Sequence, residues 1–235
     1  GVARGARLIP LRVHRTVSQL NTRNLAKAIQ DVADGKIAGD PKVISIAMGG
    51  PPSYSLWKAV TAAESKGVIV VAASGNYIRT VVWPARFRSA IAVAADIVRC
   101  RPWKHSSRGS AIDIAAPGES VWRATLNEKS EHIIAMGKGT TFATGHTSSA
   151  AALWLSYHRG DPALDALRAE GRLTLAFRDA LKRSSWRPAP DPAANPEGSS
   201  CEFAPWDKAF GPGILDISRL LDSPLTAQRG GRLSA

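Results

Sequence analysis

Four short apolar runs constrain this chain more than any other feature. Residues 43–48, 68–73, 90–95 and 112–116 are each nearly free of polar side chains. A strand with one wet face alternates apolar and polar positions, so runs this continuous suit parallel strands covered on both faces. Helical patterns lie between them. Leu25, Ala28, Ile29, Val32 and Ala33 follow helical spacing after a cap at Thr22 or Asn24, and Gly35 closes that helix. A second amphipathic helix spans 56–66 and ends at Gly67. Strands alternating with helices at this spacing predict an α/β fold: three layers, with a mostly parallel sheet and helices on both faces. Residues 8–13 predict one further short strand upstream.

The second half reads differently. Residues 121–125 and 132–136 predict an antiparallel hairpin around Asn127-Glu128-Lys129. A buried helix is expected from Thr141 to about Tyr157, and another over 173–182. Residues 186–205, rich in Pro, Ala and Ser, predict a surface loop, and Gly211-Pro212-Gly213-Ile214-Leu215-Asp216 starts a closing segment. Residues 1–222 are therefore expected to form one domain, and 223–235 a frayed tail.

Composition narrows the function classes. With 235 residues, 44% of them hydrophobic, one domain with a full core is expected. The formal charge of +12 is spread along the chain with no concentrated patch, so neither nucleic acid nor a membrane is expected as a partner. No apolar run reaches the roughly 18 residues of a membrane span, and the arginine-bearing start lacks the apolar core of a signal peptide. Cys100 and Cys201 are the two cysteines; one disulfide is possible, and neither shows metal spacing. No metal or cofactor is expected.

In parallel α/β sheets, sites form beyond the carboxyl ends of the strands. Gly49-Gly50 and Gly75-Asn76 both fall there. Gly139-Thr140-Thr141 is a glycine turn delivering a hydroxyl to a helix N-terminus, where free N–H groups and the helix dipole favour negative charge. Acyl transfer needs such a hydroxyl together with donors for the oxyanion. Thr141 fits the hydroxyl, and the Asn76 side-chain amide fits a donor. Taken singly, Thr141 also fits an N-cap, and Asn76 also fits a left-handed turn.

Several segments, taken in order, point further. The stretch Gly139-Thr140-Thr141-Phe142-Ala143-Thr144-Gly145-His146 resembles the Gly-Thr-Ser-x-Ala-x-Pro-His motif of the subtilisin-like peptidases (subtilases), with Thr141 at the serine and Gly145 at the proline. Similar matches are Gly1-Val2-Ala3-Arg4-Gly5-Ala6, Ile46-Ala47-Met48-Gly49-Gly50, Val70-Val71-Ala72-Ala73-Ser74-Gly75-Asn76, Trp83-Pro84-Ala85, Ala116-Pro117-Gly118 and Phe210-Gly211-Pro212-Gly213-Ile214-Leu215. The resemblance implies a subtilisin-like fold lacking its N-terminal part, and a serine-type endopeptidase acting on protein or peptide substrates. It implies Thr141 as nucleophile, with its backbone N–H and the Asn76 side chain as oxyanion hole. Ala47, Met48, Gly49, Gly50, Ala72, Ala73, Ser74 and Gly75 would line the substrate pocket, and Gly49 and Gly50 would pair with a substrate strand. A cis bond before Pro84 is implied too.

The family's Asp and His segments both precede its Gly-Val-Ala-Pro segment, at which this chain starts. None of the five histidines, His14, His105, His132, His146 and His158, stands at a matching position, and His105 and His158 are expected to be exposed. The expectation is therefore a chain inactive alone, completed by an upstream segment or a separate chain carrying Asp and His. Alone it is expected to expose an unpaired sheet edge and to be poorly soluble. The rival is a subtilase without activity that binds peptides. A phosphate loop is excluded at Gly137-Lys138-Gly139-Thr140-Thr141, because position 132, where that loop needs its first glycine, is histidine.

Overall fold

The computed structural model of the chain describes residues 1–16, 20–97, 101–187 and 208–226. Helix α1 (Arg23–Ala33) leads into strand β1 (Val43–Ile46), and helix α2 (Tyr54–Ser65) into β2 (Ile69–Ala73). β3 (Ala90–Ile97), the two-residue β4 (Arg101–Pro102) and β5 (Ile114–Pro117) follow. The hairpin strands β6 (Val121–Leu126) and β7 (His132–Gly137) precede helices α3 (Thr140–Tyr157), α4 (Pro162–Ala169), α5 (Leu173–Ser184) and α6 (Ile217–Leu221). β1, β2, β3 and β5 pair in parallel in that order, and β4 pairs antiparallel with the end of β3.

Alternation within the central strands explains their continuous apolar runs. Val70, Ala72, Ala92 and Ala94 pack with α1 and α2, whereas Ile69, Val71, Ile91, Val93 and Ala95 pack with α3, α4 and α5. Both faces of β2 and β3 are therefore dry, and the three-layer order follows. In α1 the buried set is Leu25, Ala26, Ile29, Val32 and Ala33, the stripe that the spacing requires. Ser53 caps α2 by accepting the Leu56 N–H at 3.2 Å. The Trp83–Pro84 bond is cis.

A partly buried ion pair fastens α5 to the sheet. Arg178 Nε donates to Asp113 Oδ1 at 2.7 Å, and the other carboxylate oxygen accepts the Ala92 N–H at 2.8 Å. The same guanidinium donates to the Ala90 carbonyl at 2.7 Å. Asp113→Ala strands these donors and is expected to cost about 1.5–3 kcal/mol, the usual worth of a hydrogen bond to a charged group. The check is a lower urea midpoint with an unchanged slope.

Four expectations are corrected. Residues 8–13 form no strand, although their pattern is that of one; no described strand lies beside them to complete a ladder. β1 is not covered on both faces: Ser45 is exposed and Val43 and Ile44 only half-buried, because β1 pairs on one edge alone. His105 and His158 are not exposed: His105 stacks on Tyr77, and His158 meets Trp154 edge-on. Ser223, at the expected start of the tail, is buried against Arg183. Cys100, Cys201 and most of the proline-rich loop lie outside the described residues, as do residues 227–235. Among the described residues no helix is long and apolar enough to cross a membrane, and no group of His, Cys, Asp and Glu could hold a metal ion.

Candidate functional site

At the carboxyl end of β2 the chain turns sharply through Ser74 and Gly75, the latter at φ 112°. The turn is pinned on both sides: Ser74 N–H donates to Val93 O at 2.9 Å, and Ser107 N–H donates to Gly75 O at 2.9 Å. Asn76 then pairs with Ser106 in an antiparallel bridge. This fixes the Asn76 backbone and sends its side chain toward the start of α3.

The opposing wall is the turn before α3. Gly139, at φ 138°, is the N-cap, and a Cβ there would lie 3.1 Å from Asn76 Nδ2. Glycine is required at Gly139 both by the backbone angle and by this approach. Two backbone bonds tie the turn to the sheet: Gly139 N–H to Gly118 O at 2.7 Å, and Gly118 N–H to Asp96 O at 3.0 Å.

Thr140 then decides how Asn76 faces. Its N–H donates to Asn76 Oδ1 at 3.0 Å, and its hydroxyl donates to the same oxygen at 2.7 Å. A backbone N–H can be accepted only by the amide oxygen, so Asn76 Nδ2 is left as the outward donor. Thr140 itself is fully buried, with its carbonyl accepting the Thr144 hydroxyl at 2.7 Å.

Thr141, the second residue of α3, is partly exposed. Its N–H is one of the first-turn donors that a helix leaves unpaired. The N-cap alternative is therefore settled against Thr141, since Gly139 holds that position, and the left-handed non-glycine residue of the Asn76 turn is Tyr77, at φ 63°. A helix-terminal hydroxyl and N–H thus stand beside an amide donor of fixed orientation.

No histidine reaches Thr141. His14 contacts Thr16, and His105 stacks on Tyr77 at 4.4 Å and meets Trp103 edge-on at 5.2 Å. His132 lies in the hairpin opposite Leu126. His146 Nδ1 lies 3.0 Å from Pro117 O, and His158 packs between Trp154 and Tyr157, where burial lowers its pKa. The described residues hold no general base for the Thr141 hydroxyl.

The remaining pocket residues divide. Ala72, Ala73 and Ser74 are buried, whereas Ala47, Met48, Gly49, Gly50 and Gly75 are partly exposed. The expectation that Gly50 offers its backbone to a substrate strand is overturned. Its N–H donates to Trp83 O at 3.0 Å, and its carbonyl accepts the Trp83 N–H at 3.2 Å. A Cβ at Gly49 would strike Val82, so that glycine serves internal packing. Sequence reasoning missed Thr140 and Tyr77. The first had a signal in its place between Gly139 and Thr141; the second had none, because its stack on His105 joins segments far apart in the chain.

A three-layer, largely parallel α/β protein with an open site at the strand carboxyl ends is the class that this arrangement defines. Residues 1–201 match the subtilase family, and the chain belongs to it. Among curated relatives, the extracellular serine proteinase of Thermus sp. is 33% identical over 162 residues, which are 67% of this chain and 38% of the relative. Subtilisin Savinase of Lederbergia lenta is 34% identical over 155 residues, 65% of this chain and 55% of the relative. The chain thus spans 38% and 55% of these two relatives. Among solved structures, the prenylagaramide maturation protease PagA superposes with a TM-score of 0.66 at 23% identity, covering 93% of this chain and 73% of that one. Fervidolysin of Fervidobacterium pennivorans gives 0.65 at 22% identity, over 87% and 29%. At these identities the two structures establish the fold.

Proposed function

We propose that the chain is the carboxyl-terminal part of a subtilisin-like endopeptidase domain, with Thr141 as the acyl-forming nucleophile. The observation that carries this reading is the pair of Thr140 bonds to Asn76 Oδ1, which turns the amide donor outward beside the Thr141 hydroxyl. Asn76 Nδ2 and the Thr141 N–H are the two oxyanion donors. The Thr141 oxygen attacks the scissile carbonyl, its proton passes to a base, and the base returns that proton to the leaving amine. Ala47 and Met48 with the turn from Ala72 to Gly75 hold the substrate residue before the scissile bond.

Base and acid come from polypeptide outside this sequence, an upstream segment or a separate chain. The open edge of β1 supports this, since its backbone groups are unpaired there and its side chains are only partly covered, with Ser45 exposed. The apolar outer face of the hairpin supports it too: Trp122, Ile134 and Met136 are 65%, 75% and 55% exposed. Without that polypeptide, turnover is expected to be negligible, because the members of such a triad act as a unit.

The test is a fluorophosphonate probe with intact-mass detection, applied to the chain alone and to the chain expressed with the polypeptide that precedes it in its source. Labelling at Thr141 is expected only in the second case. Thr141→Ser is expected to label faster, because serine lacks the methyl that restricts χ1 near the attack path. Tight binding of a peptide aldehyde with no labelling in either case would favour the rival reading, an inactive subtilase that holds peptides.

A further inference from the structure

The basic residues are scattered along the sequence, but the fold brings four of them to the candidate site. Residues 76–80 and 105–108 leave the Asn76 turn side by side. Tyr77 N–H donates to His105 O at 2.7 Å, the Ser107 hydroxyl donates to Ile78 O at 2.7 Å, and Arg108 N–H donates to Arg79 O at 3.3 Å. The two segments thus form one wall that begins at the amide donor. Arg79, Lys104 and Arg108 are exposed along it. Arg79 stands three residues beyond Asn76, and Lys104 and Arg108 each stand two residues from Ser106, the bridge partner of Asn76. At about 3.3 Å per residue, and about 5.5 Å across a bridge, all three Cα atoms fall within about 12 Å of the Asn76 Cα. On the opposing wall Lys138, exposed as well, directly precedes Gly139.

No carboxylate answers these cations. None of the four has one at ion-pair distance among the described residues. Between positions 67 and 112 the single carboxylate is Asp96, which is buried. Residues 47–53 carry no charge, and Glu119, beside the Gly118 tie, is half-buried. The wall that carries the cations is also rigid. Tyr77 is held in the left-handed region at φ 63°, uncommon for a bulky residue, while its side chain stays 71% exposed. Its stack on His105 and its edge contact at 5.9 Å with the buried Trp103 fix it there. Like charges mounted on such a frame repel one another, and an anion between them relieves that repulsion.

We infer that the candidate site selects acidic peptides, with Arg79, Lys104, Arg108 and Lys138 meeting carboxylates within about three residues of the scissile bond. The inference rests on the peptidase reading and names its substrate class. An extended peptide rises about 3.3 Å per residue, so a carboxylate three positions from the scissile carbonyl lies about 10 Å along the chain, within the span of the cations. An exposed charge pair is worth up to about fivefold in affinity, so two or three such pairs give about tenfold. A peptide fits better than a nucleic acid because Asn76 Nδ2 and the Thr141 N–H, at the centre of these charges, suit a single acyl oxygen.

The test measures binding of fluorescent nonapeptides by polarisation to the Thr141→Ala chain, which cannot turn them over. The peptides share an uncharged alanine and serine core, flanked on each side by two glutamates, two glutamines or two lysines. The glutamate peptide should bind about tenfold more tightly than the glutamine peptide, and the lysine peptide more weakly than either. Raising the salt from about 0.05 M to about 0.5 M should remove most of that advantage. The double variant Arg79→Glu and Arg108→Glu should reverse the order. Lys66→Glu with Arg88→Glu makes the same change of net charge at the amino ends of β2 and β3, away from the site, and should leave the order intact. Equal binding of glutamate and glutamine peptides overturns the inference, as does the absence of saturable binding. It also falls if the two double variants act alike, since bulk charge is then the cause. Displacement of the glutamate peptide by a single-stranded oligonucleotide at lower concentration would make nucleic acid the ligand instead. Preference for the glutamate peptide in a chain that never takes the fluorophosphonate label keeps this inference and loses the peptidase reading; labelling without the preference does the reverse.

Discussion

Asp96→Asn is expected to raise the stability of the chain by about 4 kcal/mol at pH 8.5 and to change it little near pH 4. Asp96 sits near the end of β3, 5% exposed, and one of its carboxylate oxygens has no hydrogen-bond partner. Burial pushes its pKa up to about 7, from an ordinary value of 3.8. In the unfolded chain the group ionises near pH 4, and in the folded chain near pH 7. Between those values the folded state holds a proton that the unfolded state has released, so stability falls as pH rises. Above pH 7 the full penalty is present. Asparagine carries no charge to bury, so the variant should hold its stability across the same window. Thermal unfolding at pH 5 and pH 8.5 reads this directly: at pH 8.5 the variant should melt about 10 °C above the unaltered chain. Equal melting temperatures at the two pH values, with no gain in the variant, would show that Asp96 meets a partner when ionised.

If the domain is completed as proposed, Asn76→Ala is expected to lower the acylation rate about 10²–10³-fold, the loss that removing one such donor causes in a related peptidase. KM should hold, because the donor acts on charge that develops only in the transition state. Thr140→Val separates positioning from chemistry. It deletes the hydroxyl bond to Asn76 Oδ1 and keeps the backbone bond, so about a tenfold loss is expected, the worth of one neutral hydrogen bond. The pair should be non-additive, since with Asn76 gone Thr140 has no amide to orient. Full additivity would mean that Thr140 acts elsewhere and that the geometry beside Thr141 is not an oxyanion site.

Much of this molecule is written in local pattern. The runs that became β2 and β3 are apolar without alternation because both their faces are dry, and that periodicity survives in any window of sequence. The α1 stripe and the extent of α3 were legible for the same reason, as was the hairpin around Asn127. The ordered motifs, with Thr141 and Asn76 among them, were enough to identify the family.

What lay beyond the sequence depends on neighbours in space. Residues 8–13 have the composition of a strand and form none, because a strand is made by hydrogen bonds to a second chain segment and, among the described residues, no strand lies beside them. Pattern marked β1 as a buried strand, and only the sheet order made it an edge. The orientation of Asn76 is set by Thr140, 64 positions away, and the loss of the Gly50 backbone to Trp83 is equally non-local. The sequence by itself determined which segments are strands and helices wherever burial is periodic. It also determined the family to which the chain belongs. Only the tertiary structure decided which strand edge is open and which way the Asn76 amide points. Those are pairings between distant segments, and no local periodicity encodes them.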